Sequence, residues 1–233
     1  MRMSVLMCCY NAAGTIAQAL ESLWRQTLPS DAYEVVVVDD GSTDATLDIA
    51  QRSGRGRSNV RYIRHERNQG LPAACNRGLS EAQGAYLSRL DADDLADPEW
   101  LQAMCRPLDA GATDFVYCDR LERHADGREE PVRLEPFDLF KLIAIGTMMR
   151  CDMLRAIGGY RNLFWEEHDL HLRYLLNSGL KPHRVPQPLV TYTIHPGSLT
   201  ADPDRVRMGW QEFEQAWPDR AWAPFGQMPG VHV

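Results

Sequence analysis

Strand-length apolar runs alternate with amphipathic stretches through the first hundred residues. Residues 3–9 (MSVLMCC) form the first run, apolar almost throughout. This predicts a parallel strand covered on both faces, because a half-exposed strand would alternate polar and apolar positions. From about residue 15 to 26, Ile16, Leu20, Leu23 and Trp24 recur at helical spacing and predict a helix packed on the sheet. Glu34 then leads into four consecutive valines, Val35 to Val38, which stop at the polar turn 39–44 before a helix carrying Leu47 and Ile49. Strand, turn, helix and strand make a βαβ unit. The unit recurs: residues 59–65 predict a third strand, 72–83 a helix stopped by Gly84, and 85–90 a fourth strand.

After residue 100 the pattern is less regular. Residues 114–119 predict a strand, 121–134 a hairpin around Asp126-Gly127, 137–145 a short amphipathic helix and 146–150 another strand. A turn at 158–160 precedes a helix that opens near Trp165, with acids in its first turn, where the macrodipole favours them. Two short strands, 181–185 and 189–195, a helix over about 203–217 and a tail rich in Pro and Trp complete the chain. The expected architecture is α/β: a mostly parallel central sheet with helices on both faces, plus a smaller second half. At 233 residues the chain fits one such domain over 1–200, with halves at 1–100 and 101–200, followed by a C-terminal helix and tail over 201–233.

Ligands of parallel sheets bind at the carboxyl ends of strands. By that rule Cys9-Tyr10-Asn11, Asp39-Asp40, the loop Asn68-Gln69-Gly70 and the acids of Arg89-Leu90-Asp91-Ala92-Asp93-Asp94 converge on one crevice. Three carboxylates within four positions repel one another and call for a cation. Mg²⁺ or Mn²⁺ suits them, since such hard ions take oxygen ligands and are commonly shared with substrate phosphates. The same acids could instead cap the next helix, marked by Asp97-Pro98-Glu99.

A formal charge of −7, with Lys141 and Lys181 the only lysines, argues against a sequence-independent grip on nucleic acid. The six cysteines, Cys8, Cys9, Cys75, Cys105, Cys118 and Cys151, include no C-x-x-C pair and are expected to be buried in a reducing compartment. No signal-like leader and no apolar run near the ~20 residues of a membrane span is visible. A soluble cytoplasmic protein is expected, with peripheral membrane contact left open.

Several strings carry a resemblance. In the first half they are Met7-Cys8-Cys9-Tyr10-Asn11, Val37-Val38-Asp39-Asp40-Gly41-Ser42-Thr43-Asp44, Asn68-Gln69-Gly70-Leu71 with Asn76-Arg77-Gly78, and Leu90-Asp91-Ala92-Asp93-Asp94 with Pro98-Glu99-Trp100-Leu101. Gly158-Gly159-Tyr160, Glu166-Glu167-His168-Asp169-Leu170 and Tyr192-Thr193-Ile194-His195-Pro196-Gly197-Ser198 follow in order. Together they resemble the inverting, nucleotide-sugar-dependent glycosyltransferases of family 2, which have the GT-A fold.

The resemblance implies a nucleotide-sugar half over 1–100 and an acceptor half over 101–200. It implies that Cys8, Tyr10, Asn11, Asp39, Asp40, Asn68, Gly70, Asn76 and Asp91 line the nucleotide. Asp93, Asp91 and His195 would hold a divalent metal, Mn²⁺ or Mg²⁺, against the diphosphate. The general base would come from Glu167, one methylene longer than the family's usual Asp, with Asp169 as the alternative. Cys75 stands where relatives often carry Arg, which would pass phosphate contacts to Arg77. The implied activity is transfer of a sugar from a nucleoside diphosphate, first of all UDP, to the hydroxyl of a sugar or lipid-linked acceptor. Two rivals stand beside it. A sugar-phosphate nucleotidyltransferase would need a basic Gly-rich loop after the first strand, and Tyr10-Asn11-Ala12-Ala13-Gly14 carries no base. A non-catalytic nucleotide-sugar binding module would bind the donor without turnover. The tail, with Trp210, Trp217 and Trp222, is expected to cover an apolar groove or to form a contact in a homo-oligomer.

Overall fold

The computed structural model describes residues 2–229, so residues 230–233 of the predicted tail lie outside the described residues. The first half follows the predicted alternation. It runs β1 (Met3–Cys9), α1 (Ile16–Trp24), β2 (Tyr33–Asp39), α2 (Thr46–Ser53), β3 (Val60–Arg64), α3 (Leu71–Glu81) and β4 (Tyr86–Arg89). A two-residue strand, β5 (Leu95–Ala96), follows the acidic string, then α4 (Trp100–Asp109), β6 (Phe115–His124), β7 (Glu129–Val132) and β8 (Thr147–Arg150). The chain continues through α5 (Cys151–Ala156), α6 (Glu166–Asn177), β9 (His183–Ile194) and α7 (Pro203–Ala216).

One sheet contains all these strands, in the order β3-β2-β1-β4-β8-β6-β9-β5, with β7 hydrogen-bonded to β6. The pairs β3–β2, β2–β1 and β1–β4 are parallel, as is β6–β9, whereas β8 runs antiparallel to both β4 and β6. The parallel half therefore presents the ends of β1, β2 and β4 along one edge. Along β1, Met3, Val5, Met7 and Cys9 pack into one apolar layer, and Leu6 and Cys8 into the other. Val35 and Val37 of β2 join the first layer, Val36 and Val38 the second. This two-sided burial is why those strands read as unbroken apolar runs, since alternate side chains leave a pleated strand on opposite faces. Helices α1 and α4 cover the first layer; α3, α5, α6 and α7 cover the second.

Two predicted elements take another form. Residues 137–145 make only a 3-10 turn over Leu139–Lys141, with Asp138 accepting from the Phe140 amide at 3.0 Å. Leu139 and Leu142 bury in the second layer and Ile145 in the first, so the segment crosses between layers, which one continuous helix could not do. The two strands predicted over 181–185 and 189–195 are a single strand, β9, whose pairing with β6 shifts register between Cys118 and Arg120. The irregularity falls at Pro186 and Pro188, which cannot donate to the ladder and look like a break in sequence. No helix of the described residues is long and apolar enough to cross a membrane.

Candidate active site

The loops after β1 and β2 are stitched together at the carboxyl edge of the sheet. Asn11 sits at φ +51°, a left-handed conformation that asparagine tolerates, and its Oδ1 accepts from the Thr43 amide at 2.9 Å. Its own amide donates to Ser42 Oγ at 2.9 Å, and the amides of Ala12 and Ala13 donate to Thr46 Oγ1 and Asp44 Oδ2. Beside this seam the Tyr10 ring is 48% exposed, free to lie against a ligand. Cys8 is buried instead, with its Sγ 3.6 Å from that of Cys75. Asp39 is fully buried and caps the following turn, its Oδ1 accepting from the Ser42 amide at 3.2 Å and its Oδ2 lying 3.3 Å from Arg64 Nε.

Asp40 organises the third loop. Its Oδ1 accepts from the Gln69 amide at 3.0 Å and meets His65 Nδ1 at 2.7 Å, while Oδ2 accepts from the Gly70 amide at 2.8 Å. Gly70 adopts φ +92°, a conformation that suits glycine at the entry to α3. Asn68 is exposed on the same loop. Gly41 lets this loop close in, because a Cβ there would lie 2.5 Å from the Arg67 carbonyl carbon. Asn76 turns away to a structural task. Its side chain donates to the Tyr160 carbonyl and accepts from the Tyr160 amide, both at 2.8 Å, tying α3 to the Gly158-Gly159 turn.

The acids after β4 have three different fates. Both oxygens of Asp91 are held by Arg89, through Nε at 2.7 Å and Nη2 at 2.9 Å. Asp93 Oδ2 lies 2.9 Å from His195 Nε2, and each side chain of that pair is 34% exposed. Asp94 is buried and accepts from the Thr193 amide at 2.7 Å, which fastens the loop to the end of β9. Burial, reinforced by the charges of Asp91 and Asp93, pushes its carboxyl well above the usual range. The antiparallel pairing of β5 with β9, Leu95 opposite Thr191, brings His195 to the acidic loop. That pairing is invisible in the sequence, because two residues are too few to show a strand period.

Arg89 reaches further. Its Nη1 donates to Glu166 Oε1 at 2.8 Å, so one buried guanidinium joins the acidic loop to the first turn of α6. Sequence reading passed over this residue, whose only signal was an arginine inside a strand otherwise destined for the core. The two acids it helps bring together are pushed apart. Burial raises Glu166 well above its ordinary value, with the charge of Glu167 adding to the rise. Burial also pushes Glu167 upward, but His168 and Arg89 overcome it and hold its pKa down at about 2. The surroundings of Glu167 thus favour its charged form and the burial of Glu166 opposes its own, the divergence expected when neighbouring carboxyls carry different tasks. It lines a small pocket with Ser88, Arg89, Thr147, Tyr160 and His171. Asp169 belongs to another network. It is fully buried, and it accepts from Arg173 Nε at 2.8 Å, Trp217 Nε1 at 3.1 Å and Arg161 Nη1 at 3.4 Å.

Comparison with known proteins identifies the family and the fold. The family described as glycosyl transferase family 2 matches residues 4–173. Glycosyltransferase AglE of Haloferax volcanii is 27% identical over 178 residues, 72% of this chain and 59% of its own. The chain spans 33%, 59% and 66% of the lengths of the first three curated relatives it matches, and so covers only part of each. Among solved structures, residues 1–349 of S. aureus TarS in complex with UDP-GlcNAc align with a TM-score of 0.78 and 23% identity, over 97% of this chain and 71% of that one. The mannosyltransferase PcManGT from Pyrobaculum calidifontis, in complex with GDP-Man and Mn²⁺, aligns with a TM-score of 0.79 and 20% identity, over 96% and 66%. The fold is thus the GT-A fold of these neighbours, and the chain belongs to glycosyl transferase family 2.

Proposed function

We propose that the chain transfers a sugar from a nucleoside diphosphate, with UDP the first donor to test, to a hydroxyl of a sugar or lipid-linked acceptor, with inversion at the anomeric carbon. The observation that carries this reading is the Arg89 bridge, which sets Glu167 of α6 beside the acidic loop at the edge where β1, β2 and β4 end. The exposed Tyr10 ring and the loops braced by Asn11, Asp39 and Asp40 supply a platform for the nucleotide. In this role Asp39, Asp40 and Asn11 shape the walls, while Asn68 and Gly70 border the opening.

Asp93 and His195 fit a divalent ion. They are the carboxylate and imidazole that meet at the solvent side of the site, and no group of three or more ligand-type side chains gathers among the described residues. Two protein donors suit an ion whose remaining positions go to water and diphosphate oxygens. Asp91, held at both oxygens by Arg89, would face the ribose or join Asp93 at the metal. When bound, the metal would neutralise charge that builds on the departing diphosphate.

The chain's own contribution is positioning and proton removal. Glu167 takes the proton of the acceptor hydroxyl, and the hydroxyl oxygen forms its new bond to the anomeric carbon with the freed electron pair. The bond from that carbon to the diphosphate breaks on the opposite face and its electrons leave with the diphosphate, which inverts the configuration. Held geometry and fixed charges supply most of the rate enhancement.

The test is Glu167→Gln, which keeps the volume and removes the base. Transfer is expected to fall by about 10²-fold or more, as for loss of a general base, while UDP still shifts the melting temperature as in the parent chain. A Gln variant that transfers at the parental rate would refute Glu167 as the base.

A further inference from the structure

The residue after the base is a histidine whose surroundings have no part in the reaction just described. His168 is 2% exposed and its ring is enclosed by aromatic neighbours. It stacks on Phe140 at 5.9 Å between centroids and 18° between planes, and stands edge-on to Trp165 and Trp210, each at 5.3 Å. Trp210 in turn stacks on Trp165 at 4.3 Å, so α7 closes the enclosure. Such a setting leaves the ring little freedom to rotate. Its Nε2 lies 3.4 Å from the Phe140 carbonyl oxygen, at the outer edge of a hydrogen bond. The buried Nδ1 has no hydrogen-bond partner among the described residues, and Glu167 Oε1 lies 3.5 Å from it.

We propose that His168 is a positioning residue for the base: it directs its Nδ1–H at Glu167 and keeps that carboxylate ionised and pointed toward the acceptor. This rests on the reading of Glu167 as the base. An unpartnered N–H in so dry a place is costly unless it faces an anion, and a carboxylate that must stay ionised under burial needs a donor. The pair answers both needs at once. It also gives the longer glutamate side chain a fixed contact, which matters because an extra methylene adds a rotatable bond between backbone and base. The other charged or titratable groups around Glu167 are Arg89 and Asp91 from the end of β4, Tyr160 from the turn before α6, and Glu166 and His171 on its own helix. Arg89 and His168 favour the ionised form, and only His168 is caged for no other visible purpose.

The experiment compares the pH dependence of kcat for the parent chain, His168→Phe and His168→Asn, with Mn²⁺ and saturating donor. Phe keeps an aromatic ring in the cage and removes the donor; Asn restores an N–H close to the position of Nδ1. The expected result for His168→Phe is a kcat lower by about tenfold near neutral pH, the worth of a hydrogen bond to a charged group, with the donor KM within about twofold. Its acid limb should move up by about one pH unit or more, because the burial of Glu167 is then opposed only by Arg89 and a backbone hydrogen bond. His168→Asn should recover most of both effects. Superposable pH profiles for the parent and His168→Phe, or an Asn variant no better than Phe, would overturn the proposal. If His168→Phe does not fold, as judged by thermal unfolding, His168→Leu against His168→Asn makes the same comparison. Glu167→Gln measured alongside separates the two ideas: an active Gln variant removes the base itself, whereas an inactive one with an indifferent His168 removes only this inference.

Discussion

Asp91, Asp93 and Asp94 show how far three adjacent carboxylates can diverge once each has its own partner. Asp91 answers to Arg89, Asp93 to His195 and Asp94 to the Thr193 amide. The repulsion that calls for a cation could not apportion them in sequence, because Arg89 is a neighbour in the chain whereas His195 and Thr193 arrive from a hundred residues away. Of these three partnerships, the Asp93–His195 pair combines metal-ligand chemistry with access to solvent. Asp93→Ala should therefore abolish the Mn²⁺-dependent part of UDP stabilisation and leave the metal-free part. The check is the UDP-induced melting shift with Mn²⁺ and with EDTA, since a ligand stabilises by RT ln(1 + [L]/Kd). Equal Mn²⁺ enhancement in the parent and the variant would take Asp93 out of the metal site. Asn76 gives the opposite lesson. Its position in a family-like string suggested a nucleotide contact, while its bonds to Tyr160 brace α3 against a glycine turn, and no local pattern in the sequence separates those two uses.

At the scale of elements, α6 carries the proposed base, Glu167, and α7 packs against α6. The helix over Pro203–Ala216 is capped by Asp202, whose Oδ1 accepts from the Asp204 amide at 2.9 Å, and it buries Phe213 completely. Phe213 packs edge-on to Phe140 and Trp210, two of the rings around His168, and Trp217 donates to Asp169 inside α6. The expected covering of an apolar groove by Trp210, Trp217 and Trp222 thus takes a definite form, with all three indoles packed on the second apolar layer. Phe213→Ala should cost about 3–5 kcal/mol of unfolding free energy, the usual range for emptying a buried aromatic site. Urea denaturation measures it, and a loss below about 1 kcal/mol would mean that α7 is not part of the cooperative core. The helices and strands of the first half were legible because their periods are long and clean. The 137–145 segment and β9 were not: layer crossing and a proline bulge are decided by tertiary contacts, which override local pattern.

For the molecule as a whole, a sheet covered on both faces leaves titratable groups in places where their ionisation must be settled by folding. His171 is the clearest case. It is buried against Phe115, its Nε2 is 3.3 Å from Thr147 Oγ1, and its Nδ1 has no partner among the described residues. Burial, with the charge of His168 adding to it, holds its pKa down at about 3, against 6.5 for an exposed ring. The folded chain therefore keeps His171 neutral where the unfolded chain takes up a proton. The unfolded state binds more protons through that window, so stability is fully present above about pH 6.5 and is lost progressively as pH falls toward 3. Glu167, held at about 2, acts in the same direction, but only below the ordinary carboxylate value of 4.5. Glu166 and Asp94, both pushed upward, oppose it at higher pH. Between pH 6 and 5 the histidine contribution can be isolated by His171→Phe, which keeps a ring against Phe115 and removes the titration. Its unfolding free energy, measured in urea at pH 7, 6 and 5, should decline less steeply than the parent's, by up to about 1.4 kcal/mol per pH unit. Parallel lines for the two proteins would mean that His171 is not held neutral, and that the second layer admits more water at that point than its packing implies.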